Sequence, residues 1–194
     1  VKAPLVYSKV KIANWQPCIQ LGIHEFYAPG APYSRVKLDY PVSLGGYHHP
    51  HDPQQPIGLH MVYVPTLPGS GLSPREQSRK GRAMLLGTPF EVHEQMIREQ
   101  LQAMLGPAGF DHQRDIQAIT VNRWSHGYSY ALSGMFDDEE EAQRTIERAR
   151  APVGHIFIAN ADADWSPYAH SAIDQAWRAV NEPAGGTSAP GEAS

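Results

Sequence analysis

A mixed α/β chain is what this sequence predicts, and three observations carry the prediction. Roughly the first sixty residues alternate apolar and polar positions between Pro- and Gly-rich stops, as short strands do. Two helices with clear start and stop signals follow over residues 73–106. Near the other end, residues 156–159 form a continuous apolar run ahead of a Ser-Pro helix start, the pattern of a strand covered on both faces and the helix after it.

Taken in order, residues 5–12 alternate as a half-buried strand, and Asn14 caps a short turn carrying Trp15, Ile19 and Leu21 that Gly22 closes. Further strands are expected over residues 24–28, 35–40 and 59–64. Ser73-Pro74-Arg75-Glu76 is a capping box with Pro at the first helical position, and Gly87 ends that helix. Thr88-Pro89-Phe90-Glu91 opens the next with the same chemistry; Phe90, Ile97, Leu101 and Met104 share one face, and Gly106 is the stop. Residues 116–124 read as a strand running into a Ser125-His126-Gly127 loop. The acidic run at residues 137–141 suits the first turn of a helix reaching Ala149, where negative charge meets the positive end of the helix dipole. A last strand over residues 154–160 precedes a helix starting at Ser166-Pro167, with Ala169, Ala172, Ile173, Ala176 and Val180 on one stripe. Residues 182–194, rich in Gly, Pro, Ala and Ser, are expected to be a disordered tail.

Bulk properties narrow the function. The 194 residues are 41% hydrophobic and 19% charged with a net charge of -4, which offers no electrostatic basis for binding nucleic acid or an anionic membrane. No apolar run approaches the roughly 18 residues that span a bilayer. Cys18 is the one cysteine, so no intrachain disulfide forms and the compartment, cytoplasm or periplasm, stays open.

Strand, polar loop and helix N-terminus at residues 154–169 is an arrangement that holds ligands in α/β sheets, although an ordinary packing unit has the same outline. Gly154-x-Ile156-x-x-Ala159-x-x-Asp162, followed by Tyr168-Ala169-His170-x-Ala172-Ile173-x-x-Ala176, resembles the C-terminal FAD motif of flavin-containing amine oxidoreductases. The family's Gly-Asp or Gly-Glu pair reads Ala161-Asp162, and the helix start of monoamine oxidases is replaced by Pro167-Tyr168-Ala169-His170. Val121-Asn122-Arg123-Trp124-Ser125-His126-Gly127-Tyr128-Ser129-Tyr130 resembles the strand and loop ahead of that motif. The chain more closely resembles bacterial spermidine dehydrogenase-like FAD proteins, through Pro4-Leu5-Val6-Tyr7, Asn14-Trp15, Leu38-Asp39-Tyr40-Pro41-Val42-Ser43 and Gly45-Gly46-Tyr47 as well.

The resemblance implies a substrate-domain portion over residues 1–115 and a return to a Rossmann-like FAD-binding domain over residues 116–181, whose closing βα unit ends the fold. It implies FAD contacts from Asp162, Ala161, Tyr168, Ala169, Trp124 and Gly127, and places His126, His170 and Tyr128 nearest the flavin as candidates for a catalytic role. The reaction implied is oxidation of the C–N bond of a small amine, with polyamine the class that the resemblance suggests, by hydride transfer to flavin N5. A Gly-rich turn for the pyrophosphate is missing: in Gly69-Ser70-Gly71-Leu72-Ser73-Pro74, Pro74 stands where a third Gly belongs, and Thr66-Leu67-Pro68 intervene after the strand. With Val1 first and no initiator Met, the fold is expected to be incomplete without an N-terminal FAD-binding portion, preceding it or on a partner chain.

Two readings compete. One is a non-catalytic assembly subunit of a flavoprotein complex. The other rests on Tyr47-His48-His49-Pro50-His51-Asp52, where His48, His49 and His51 are weak candidate ligands for a metal or haem, against a plain polar loop. No Cys or spaced carboxylate completes a metal set there.

Overall fold

The computed structural model describes residues 2–132, 134–135 and 137–181, so the expected tail at 182–194 lies outside the described residues. Two compact units divide the chain: Ala3–Gly127, and Tyr128–Ser194 together with Lys2. The division leaves the strand that begins at Ile116 with the first unit, because that strand pairs with the N-terminal one.

In the first unit, β1 (Ala3–Ile12) is the axis. Val6, Ser8, Val10 and Ile12 point to one side and are fully buried, while Tyr7, Lys9 and Lys11 alternate to the other. Around it β2 (Glu25–Tyr27), β3 (Arg35–Leu38), β4 (Ile57–Tyr63) and β5 (Ile116–Gly127) form a five-stranded sheet in the order β2-β3-β4-β1-β5. Every pairing in it is antiparallel. Short α1 (Gln16–Leu21) starts where the Asn14 side chain accepts from the Gln16 N–H, and Gly22 closes it at φ +66°.

Helices α2 (Pro74–Gly87) and α3 (Phe90–Leu105) cover one face. Ile97, Leu101 and Leu105 of α3 and Leu85 of α2 join Val6, Val10, Ile12, Leu59 and Met61 in a single core. Each such side chain contributes about 1.5–3 kcal/mol on burial. The capping box forms as its residues require: the Ser73 hydroxyl accepts from the Glu76 N–H, and the Glu76 carboxylate accepts from the Ser73 N–H. The chain is therefore of mixed helix and antiparallel-sheet class.

The expected second capping box does not form. Thr88 Oγ1 donates back to the Met84 carbonyl, 2.7 Å away, and Pro89 holds the N-cap position without a side-chain bond. Phe90 is half-exposed at the end of the otherwise buried stripe. Short α4 (His112–Asp115) is capped by Asp111 and leads into β5. Residues 125–127, expected as a loop, extend β5, because Gly127 still pairs with Ala3.

In the second unit, α5 (Glu139–Arg150) starts at Asp138, whose carboxylate accepts from the Glu141 N–H, with acidic residues in its first turn and arginines in its last. Residues 154–160 do not form the expected strand. Val153 and Ile156 exchange both backbone hydrogen bonds across a turn in which Gly154 takes φ +60°. A parallel strand needs a neighbour to take its N–H and C=O groups, and among the described residues no parallel neighbour exists. The Ile158 carbonyl is taken by Arg178 instead, at 2.6 Å. The last helix, α6 (Ala169–Asn181), begins three residues after Ser166, whose hydroxyl accepts from Ser171 rather than capping.

Candidate functional site

The Asp162 turn is built from its flanks inward. Asn160 is extended, and its side chain accepts from the Ala163 N–H at 3.0 Å, opening a single 3-10 turn over Ala161–Asp164. Trp165 closes it at φ +48°, its N–H bonded back to the turn. The Asp162 carboxylate is half-exposed and accepts from Lys2 at 2.6 Å, an exposed ion pair of small energetic weight. Ala161 gives its carbonyl to Ser129 Oγ at 2.8 Å.

That last bond joins the two stretches that carry the family resemblance. Tyr130 strengthens the link: its ring meets Trp165 edge-on at 5.0 Å, and its hydroxyl donates to Asp137 at 2.6 Å. The Asp137 carboxylate holds the Tyr130 phenol above its ordinary range. Tyr168 and His170, one on either side of the α6 start at Ala169, stack at 5.4 Å with rings 17° apart, both on the surface. Tyr128 and Trp165 are the non-glycine residues at positive φ among those described. Left-handed backbone at an aromatic residue costs on the order of 1 kcal/mol or more and persists only where surroundings impose it.

Trp124, His126 and Gly127 sit on β5 in the first unit. Trp124 is 58% exposed, and His126 Nδ1 lies 2.9 Å from the neighbouring Ser125 hydroxyl. Gly127 is there for space: a Cβ would stand 2.1 Å from Leu5 Cδ1.

The histidine loop does not assemble a ligand set. His49 and His51 meet edge-on at 5.8 Å, His48 is exposed, and no group of three His, Cys, Asp or Glu side chains converges among the described residues.

Sequence reasoning missed a polar row on the uncovered face of the sheet. Register places Lys9 opposite His60, His60 opposite Lys37, and Lys37 opposite Glu25, so four charged or titratable side chains cross β1, β4, β3 and β2 in line. Alternation had marked each strand's polar face; which residues meet across strands depends on register. Burial holds His60 below its ordinary range, and Lys9 and Lys37 add to that. No protein-family model matches the chain, and no curated protein matches it significantly.

Proposed function

We propose that this chain is the flavin-proximal, C-terminal part of an FAD-dependent amine oxidoreductase, acting with a preceding or partner stretch that carries the first dinucleotide-binding turn. One observation supports the reading most. In α6 the apolar stripe faces away from its own unit: Ile173, Trp177 and Val180 are 68%, 72% and 83% exposed, while Ser171 and Gln175 are buried. An amphipathic helix with its apolar side outward lacks its cover. In this reading the cover is the remainder of a Rossmann-like domain.

The residues at hand fit half of an FAD site. Asp162 stands on an exposed turn with a carboxylate able to accept from sugar-alcohol hydroxyls, and the positive end of α6 follows it. FAD, when bound, would supply the two-electron acceptor. Tyr130 and Trp165 would wall the amine, and such apolar walls favour its neutral form, which the oxidation of a C–N bond requires. The left-handed backbone at Tyr128 and Trp165 suits a site held in a fixed shape.

The test is purification of this chain with whatever polypeptide it associates with. Flavin absorbance and amine turnover in the complex are expected, with both reduced by Asp162→Asn and association lost in Trp177→Lys. A complex with no flavin and no amine turnover would overturn the proposal. Full activity in a double Asp162→Asn, Tyr168→Phe variant would assign this chain an assembly role instead.

A further inference from the structure

The first unit holds a cleft of about 460 Å³ where β2 and β3 meet the segment after Asp39, lined by residues from both faces of the sheet. Trp15, Leu38, Tyr40, Pro41 and Ile57 supply its apolar lining, and Glu25, Arg35, Lys37 and Asp39 its charges. That volume suits a small molecule held by an apolar wall and a few polar anchors.

The charges do not cancel. Arg35 donates to Glu25, and Lys9 reaches both Asp39 oxygens at 2.8 and 2.7 Å. Lys37 has no carboxylate within ion-pair distance among the described residues, although only 6% of it is exposed. Its ammonium lies 3.2 Å above the Tyr40 ring, which attracts a cation but does not neutralise it. A second group is left over at the same cleft: His49 Nδ1 is buried without a hydrogen-bond partner. A buried ammonium without a counter-charge is costly, so an anion seated beside it is favoured.

We infer that this cleft binds a small monocarboxylate with an apolar body, the carboxylate on Lys37 and the body against Trp15, Leu38 and Ile57. Charge complementarity excludes a polycation here. The inference does not depend on flavin, and it is tested on the chain alone.

The experiment is an NMR titration of the full 194-residue chain with phenylacetate, following the Trp15 indole N–H, which donates to the Asp52 carbonyl at 3.1 Å. Phenethylamine and phenylacetamide serve as isosteres of opposite and zero charge. Phenylacetate should give a saturable shift at least about ten-fold tighter than either isostere. Lys37→Met should weaken it about ten-fold or more, while Lys11→Met, on an exposed lysine of the same sheet face, should not. No saturable shift, equal binding of phenethylamine, or unchanged affinity in a folded Lys37→Met variant each overturns the inference. If Lys37→Met does not fold, the isostere comparison on the unaltered chain decides.

Discussion

Gly81→Ala is the substitution in which two opposing effects are most cleanly separable. Gly81 lies inside α2, so a methyl group should favour the helix by about 1 kcal/mol through lost backbone entropy in the unfolded chain. Against that, the new Cβ would stand 2.0 Å from the Pro65 carbonyl oxygen and 2.9 Å from Pro4 Cγ. The atom struck first is backbone, so no side chain can rotate away, and α2 must retreat from β1 by about 1 Å. Overpacking of this kind costs about 3 kcal/mol or more when backbone must shift. The balance is a loss of about 2 kcal/mol, a fall of roughly 4–8 °C in Tm for a domain of this size. Gly87→Ala, at the end of the same helix with nothing within 4 Å of its added Cβ, isolates the propensity gain and should leave Tm equal or slightly raised. Calorimetry or thermal circular dichroism on both variants is the assay. A Gly81→Ala protein as stable as the parent would refute the claimed closeness of α2 to residue 65.

Three further outcomes follow from the first unit. Tyr33→Phe removes a hydroxyl 2.9 Å from Ser8 Oγ and 3.4 Å from His93 Nδ1; with Ser8 stranded in the core, urea denaturation should show a loss of about 1–2 kcal/mol at unchanged m-value. Burial, aided by Arg123, holds buried His93 below its ordinary value of 6.5, and His60 is lowered likewise. The unfolded chain then binds more protons than the folded one just below pH 6.5, so stability should fall as pH drops through that value toward the lowered one; His93→Gln should flatten this slope, and an unaltered slope would remove His93 as its source. Burial raises the Cys18 thiol to about 11, so a disulfide reagent at pH 8 should label it slowly in the native protein and rapidly in denaturant, and fast native labelling would contradict its burial.

Much of the fold was legible because local chemistry agreed with it. Ser73 to Glu76, the Ile97 and Leu101 stripe, and the alternation of Val6, Val10 and Ile12 each mark an element within a few residues. What was not legible depends on distant partners. Tyr33 sits in a Pro- and Gly-rich stretch that reads as a surface turn, yet it is fully buried because Ser8, His93 and Gln100, all far away in sequence, close around it. Residues 156–159 have the composition of a strand, but a strand exists only where a neighbour takes its backbone groups. Periodicity found the α6 stripe, but the close packing on a sheet that its small residues suggest is not present: Ile173 and Val180 are exposed. At the candidate site, Asp162 and Tyr130 were recognisable by resemblance, whereas the Ser129 and Trp165 contacts that join their segments were not, since nothing local encodes them. The Lys37 cleft was hidden for the same reason: its charges come from β2, β3 and the residue after β3, in a register that no single strand reveals.

The interior position of β1, between β4 and β5, also sets the order in which this unit can be completed. Val10 is paired with Leu59 on one side and Ile119 on the other, partners roughly fifty and one hundred and ten positions downstream, and such non-local closure slows folding. Synthesis therefore delivers β1, the strand between β4 and β5, before either of its neighbours, and β5 last. Until β5 emerges, one edge of β1 is an open template, and its apolar side waits for α3. The arrival of β5, rather than the appearance of the first helices, is the moment at which this sheet can close.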